Sequence, residues 1–183
     1  MIQRLDRPAT IADLQKVPEK AELVKGAIVI MSPASAGHGR KAGRIYQSLL
    51  EYEERTGKGI ALPDNVGFIV DLPNRQSFSP DAAYFLGPYH ENEFIDGAPA
   101  FAAEVRSPED FGPAAEREMA DKRADYFAAG TQVVWDVDMI RDKVVRVYRA
   151  DTPDQPVIYG TADIAEAEPI LPGWRLLVAE LLK

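Results

Sequence analysis

The sequence predicts an α+β (mixed) fold in which a mixed central β-sheet is flanked by helices. Two observations carry this. The elements run helix, several strands, helix, strands, an order that a mixed sheet covered by helices accommodates. The 183 residues contain no internal repeat and no linker long enough to divide them, so residues 1–183 read as one domain, large enough to bury a core without staples.

Thr10 with Asp13 three residues on, then Leu14 and Val17, reads as a short capped helix ending near Pro18. Residues 22–31 alternate around Lys25-Gly26 and read as a hairpin. A long helix begins at Ser35 or Gly37, carries Ile45, Leu49, Leu50 and Tyr52 as its apolar stripe, and stops at Gly57. Strands are expected at 60–62 and 66–70, and another at 80–85 after the turn 71–74. Residues 87–99, rich in Gly, Pro, Glu and Asp, read as a loop. A strand through Glu104 precedes a helix over 113–129 that Gly130 ends. Residues 133–137 and 144–148 form an antiparallel pair around Arg141-Asp142, and one or two short strands and a helix near 176–182 close the chain.

Composition removes several classes of chemistry. With no cysteine, disulfides, thiolate metal sites and cysteine nucleophiles are excluded. With His38 and His90 the only histidines, histidine-rich metal sites go too. Residues 1–8 lack the apolar segment of a signal peptide, and no apolar run approaches the roughly 20 residues of a membrane span, so a soluble cytoplasmic protein without membrane contact is expected. No Gly-rich phosphate loop appears, and Ser32 and Ser35 lie outside any Gly-x-Ser-x-Gly context. The net charge of −8 argues against tight sequence-independent binding of nucleic acid, which depends on Lys and Arg neutralising phosphates.

Three positions carry the chemistry. Asp81 follows Pro80 at the head of an apolar strand, Glu104 lies inside Phe101-Ala102-Ala103-Glu104-Val105, and Lys122 sits in the following helix. An Asp and a Glu on adjacent strands suffice for Mg²⁺, a hard cation content with one or two carboxylates plus phosphate oxygens. A nearby lysine would orient the attacking water or stabilise developing charge.

Pro80-Asp81, Glu104-Val105-Arg106-Ser107-Pro108, and Lys122 with Tyr126 and Gly130 at four-residue steps resemble the PD-(D/E)XK nuclease-like superfamily. More narrowly, they are similar to its Uma2 (DUF820) restriction-endonuclease family. The resemblance extends to residues 22–26, Met31-Ser32-Pro33 with His38, residues 134–138 and 171–174. It implies a restriction-endonuclease-like core, Mg²⁺ with Mn²⁺ as a substitute, and nucleic acid, DNA in the first place, as substrate. It also implies a homodimer, since cutting both strands needs two sites.

One departure matters. The simplest motif has lysine two residues after the glutamate, where this chain has Arg106. Residues two apart on a strand share a face, so Arg106 is expected to point toward the metal and contact phosphate, while Phe101, Ala103 and Val105 face away. Arginine stays protonated and cannot serve as a base. The family moves its lysine into the next helix, which assigns that role to Lys122. Periodicity alone does not separate Lys122 from Arg123.

Each position has a plainer reading. Asp81 is also a common turn residue after proline. Glu104, costly to bury unpaired, would be satisfied by a structural ion pair with Arg106 or Arg123. Lys122 can be a snorkelling lysine, and Tyr126 reads as core. Glu22 is either an auxiliary acid that binds a second metal or positions water, or a surface charge at a strand start. His38 at a helix N-terminus suits a phosphate contact but stands alone. Arg40, Lys41 and Arg44, in a run with no carboxylate from residue 32 to 50, read as substrate contacts or a solvated helix face. Asp136 and Asp138 read as hairpin-end charges.

The expectation is therefore Mg²⁺-dependent endonucleolytic hydrolysis of DNA. Asp81 and Glu104 hold the metal, Lys122 and Glu22 complete the catalytic set, and Arg106, His38, Arg40, Lys41 and Arg44 bind substrate. The rival is a catalytically inactive protein that keeps the nuclease fold for a binding, oligomeric or regulatory role.

Overall fold

The computed structural model describes residues 1–3 and 7–183. Its first helix, α1 (Ile11–Leu14), is a single turn held by a capping box between Thr10 and Asp13. The hairpin follows as β2 (Ala21–Val24) and β3 (Ala27–Ile30), with β1 (Ile2–Gln3) added on the outer edge of β3. Lys25 and Gly26 both have positive φ, 52° and 71°, the two-residue turn whose twist suits a hairpin. Helix α2 (Ala36–Thr56) starts at the Ser35 cap and ends on Gly57 in the left-handed conformation.

The central sheet has six strands in the order β12-β11-β10-β9-β7-β4. They are β4 (Ile60–Leu62), β7 (Ala82–Phe85), β9 (Phe101–Val105), β10 (Val133–Asp138), β11 (Val144–Arg149) and β12 (Thr152–Tyr159). Within this sheet, among the described residues, β9 and β10 alone pair in parallel, which makes it mixed. Helix α3 (Pro113–Ala129) is their crossover.

The pleat divides the residues between two cores. Tyr84, Phe101, Ala103, Val105, Trp135 and Val137 pack with Ile45, Leu49 and Tyr52 of α2 and with Trp174 and Leu171 of the C-terminal segment. On the opposite face Ala83, Ala102 and Val134 pack with Tyr126 of α3, Phe68 and Phe78. Glu104 alternates with Ala103 and Val105, so it lies on the α3 face. Among the described residues no helix is long and apolar enough to cross a membrane.

The chain departs from the expected elements where strands are shortest or carry proline. The stretch 87–99 contains β8 (Ile95–Asp96), which joins β5 (Phe68–Ile69) and β6 (Ser77–Phe78) in a small sheet. Strands of two residues are too short to show an alternation. β12, for which the sequence reading holds no separate expectation, contains Pro153 and Pro156; it is an edge strand, where a missing N–H on the outer side costs no ladder bond. The chain closes with β13 (Ile164–Glu166), β14 (Arg175–Leu177) and a 3₁₀ turn, Val178–Leu182, in place of an α-helix.

Candidate active site

Five elements deliver side chains to one cleft. Lys20 and Glu22 come from the start of the hairpin, His38 from the first turn of α2, Asp81 from the residue before β7, Glu104 from β9, and Lys122 and Tyr126 from α3. The cleft measures about 1640 Å³, beyond the few hundred to 1,000 Å³ of small-molecule pockets.

Lys122 Nζ lies 2.9 Å from Glu22 Oε1 and 2.8 Å from Glu104 Oε1. It is thus a pivot between two carboxylates, and the snorkelling reading fails. Arg123, which periodicity left equal, instead stacks its guanidinium 3.7 Å from the centre of the Tyr148 ring. Burial disfavours a charged lysine, but Glu104 and Glu22 outweigh it and hold the Lys122 pKa above its ordinary value. Lys122 is therefore a fixed cation rather than a base at working pH.

Glu22 is buried, not a surface charge. Besides Lys122 it accepts from the Ser79 N–H at 3.0 Å and from Arg75. Arg75 also donates to Asp125 at 2.9 Å, and Asn74 reaches the same carboxylate at 2.7 Å. Burial would raise the Glu22 pKa, but Lys122 and Arg75 bring it below the usual glutamate value.

Asp81 is 4 % exposed and accepts three contacts. Lys20 Nζ is 2.8 Å from Oδ1, while Oδ2 meets His38 Nε2 at 3.1 Å and the Val105 N–H at 2.8 Å. Burial opposes ionisation, yet the His38 hydrogen bond and the Lys20 charge keep Asp81 ionised well below the usual carboxylate range. His38 is drawn into the site and its pKa is raised, first by its bond to Asp81 and against the effect of burial. Its Nδ1 is buried without a hydrogen-bond partner among the described residues.

Glu104 behaves differently. Its Oε1 accepts from Tyr126 Oη at 2.6 Å and from Lys122, and no side chain among the described residues donates to Oε2. Burial, then the charges of Asp81 and Glu22, raise its pKa despite Lys122. Tyr126 is core and site at once, its ring stacked on Phe78 with centroids 4.0 Å apart.

Arg106 corrects the sequence reading. It shares the face of Glu104, but Asp136 lies opposite Glu104 in the register and captures it. Nε and Nη2 donate to Asp136 at 2.6 Å each, Nη2 to Glu116 at 3.0 Å, and Nη1 to Glu116 and to the Asp110 carbonyl. All five N–H donors of the guanidinium are occupied, which leaves none for phosphate. Asp136, expected at a hairpin end, is the buried partner of this clamp. Arg40 donates to the Lys183 carbonyl at 2.6 Å and Lys41 to the Gly37 carbonyl at 3.1 Å. Neither these two nor Arg44 line the cleft.

The residues fit a hard divalent cation in donor type. Asp81 and Glu104 present carboxylate oxygens from adjacent antiparallel strands, and Glu104 Oε2 is open. Among the described residues no three carboxylate or imidazole groups are gathered as a ready-made metal cage, so a cation would rely on these two carboxylates, with water and substrate oxygens completing its shell, as Mg²⁺ tolerates.

Sequence reading missed Lys20, Asp64, Arg75 and Asp125. Lys20 had a signal, since it stands two residues before Glu22 in an extended run and so shares its side. Arg75 had none, because a turn residue carries no periodicity.

A crystal structure of a protein from Anabaena variabilis ATCC 29413, described as a putative nuclease belonging to DUF820, aligns with a TM-score of 0.74, covering 95% of this chain and 97% of that one at 19% identity. At that identity the likeness shows the fold. No curated protein matches. The family model described as Uma2, putative restriction endonuclease, matches residues 10–179, and a match of that extent, with the nuclease-like fold beneath it, means that the chain belongs to the Uma2 family.

Proposed function

We propose that the protein is a Mg²⁺-dependent endonuclease that hydrolyses DNA phosphodiester bonds, with Asp81 and Glu104 as metal ligands and Lys122 as the catalytic cation. The observation that carries this is the seating of Lys122 Nζ between Glu22 and Glu104, one strand away from Asp81. Mg²⁺ held there would supply Lewis-acid polarisation of the phosphoryl group and ease deprotonation of the attacking water. Lys122, kept protonated by its two carboxylates, stabilises negative charge as it develops on phosphorus. Glu22 positions Lys122 and is itself fixed by Arg75 and the Ser79 amide, so its role is orientation rather than ligation. His38 holds Asp81 toward Val105. Cutting a duplex on both strands calls for two such sites, hence a homodimer.

The test couples Mn²⁺ calorimetry with single-turnover cleavage of labelled DNA. Asp81→Ala and Glu104→Ala should abolish both binding and cleavage in a folded protein. Unchanged Mn²⁺ affinity in both variants would sink the assignment.

A second reading, the same fold used for binding, oligomerisation or regulation without turnover, is favoured by a separate observation. Glu118 and Asp121 are exposed along the cleft, while Arg40, Lys41 and Arg44 lie outside it, an arrangement that repels a phosphate backbone. If Mn²⁺ binds but single-stranded, duplex and branched DNA are neither bound nor cut, this reading replaces the first.

A further inference from the structure

Lys20 closes the approach to β2, and its ammonium joins Asp81 Oδ1, at 2.8 Å, to Asp64 Oδ1, at 2.6 Å. Asp64 lies in the turn after β4, beside Asn65 with φ 68°, and its side chain is 35% exposed. Asp81 is buried and needs compensation for its charge. Of its three partners, the Val105 amide is part of a strand and His38 is fixed on α2. Lys20 alone reaches Asp81 on a flexible four-carbon stem, and it alone has a second carboxylate within reach toward solvent.

Resting on the reading of Asp81 as a metal ligand, we propose that Lys20 is a positioning residue. Its ammonium holds the cation place at Asp81 in the metal-free protein and withdraws onto Asp64 when a divalent cation binds. Lys20 and Asp64 together then set the metal affinity of the site. Lys20 occupies Asp81 Oδ1, and Asp64 offers its ammonium a second carboxylate when that place is given up.

Mn²⁺ titration calorimetry on the full chain tests this with Lys20→Met, Lys20→Arg, Asp64→Asn and the double variant Lys20→Met/Asp64→Asn. Lys20→Met should bind Mn²⁺ roughly tenfold more tightly, the scale of one direct charge coupling. Lys20→Arg, which keeps the charge, should stay near the wild-type affinity. Asp64→Asn should weaken Mn²⁺ binding in the wild-type background and have no effect once Lys20 is methionine, because Asp64 acts only through Lys20. Should Lys20→Met not fold, the unaltered protein gives an independent readout: reductive methylation of Lys20, followed by mass spectrometry, should rise severalfold on adding Mn²⁺. Equal Mn²⁺ affinity with and without Lys20, an Asp64→Asn effect of the same size in both backgrounds, or methylation indifferent to Mn²⁺ overturns the proposal and leaves Asp81 a ligand. A wild-type protein that takes up no Mn²⁺ overturns the proposed function, and this proposal with it.

Discussion

Two ionic clusters meet at one strand, β9, and they are built to opposite standards. Arg106, two residues beyond Glu104 on the chain, is closed on all sides by Asp136, Glu116 and the Asp110 carbonyl. Phe111 extends that order, with the guanidinium of Arg106 5.3 Å and that of Arg141 4.0 Å from its ring centre. In the cleft, by contrast, Glu104 Oε2 and His38 Nδ1 have no hydrogen-bond partner among the described residues, and Lys20 and Lys122 are each shared between two carboxylates. A fully satisfied polar network specifies structure, whereas an incompletely satisfied one holds capacity for a ligand. The same residue types therefore form a closed scaffold at Arg106 and leave an open carboxylate oxygen at Glu104, and the difference is whether their bonds are complete.

Breaking the closed cluster should have the largest effect. Arg106→Ala leaves Asp136 buried with its charge unpaired and should destabilise the protein by about 3–5 kcal/mol, read by urea denaturation. The surviving folded fraction should bind Mn²⁺ with unchanged affinity. A parallel loss of metal affinity would mean the two clusters are one.

Breaking the open cluster should do the reverse. Lys122→Ala should cut single-turnover cleavage by roughly 10²-fold, the scale of losing one preorganised charge-stabilising group, with Mn²⁺ affinity nearly unchanged. Activity that survives Lys122→Ala would remove the lysine from the mechanism.

A smaller effect sharpens the contrast through pH. Burial, with the charges of Asp81 and Glu22, raises the folded-state pKa of Glu104, so the folded protein holds that proton more firmly than the unfolded chain does. Stability of the metal-free protein then falls as pH rises from the ordinary glutamate range through the raised pKa. Glu104→Gln has no proton to lose. It should melt a few degrees higher than wild type at neutral pH in EDTA, about 2–4 °C for each kcal/mol in a chain of this size, with the gain shrinking at acid pH. A gain equal at both pH values would place its origin elsewhere.

The smallest effect concerns Arg40, Lys41 and Arg44. Outside the cleft, their triple replacement by glutamine should leave Mn²⁺ affinity unaltered. It should lower the salt slope of DNA binding, measured by fluorescence anisotropy with Ca²⁺, only by the few counterions those side chains displace.

How much of this the sequence discloses follows from what periodicity can encode. Helix α3 was legible at both ends and α2 at its C-terminus, with its start left between Ser35 and Gly37, because Ser35, Gly57, Pro113 and Gly130 are local signals at local positions. The pleat placed Glu104 opposite Ala103 and Val105, and alternation alone suffices for that. The direction of Arg106 was legible but not its destination, since Asp136 lies thirty residues on and meets it only through the β9–β10 register. Lys122 and Arg123 were inseparable for the same reason. The helix face is local, and the carboxylates that select one neighbour over the other arrive from β2 and β9. Arg75 and Asp64 occupy turns, where nothing in the neighbouring residues marks a side chain as pointing inward.

The single parallel pairing in the main sheet has a consequence for how such proteins diverge. Parallel neighbours oblige the chain to travel back before it re-enters the sheet, and α3 is that return path, laid across the strand that carries Glu104. A positive charge can therefore be delivered to that carboxylate by two routes, along the strand or from overhead. A lineage can exchange one route for the other through a few substitutions, with no change in what the carboxylate meets. What such a lineage inherits is a location in three dimensions rather than an interval between letters. Searches by spacing will lose its members long before searches by shape do.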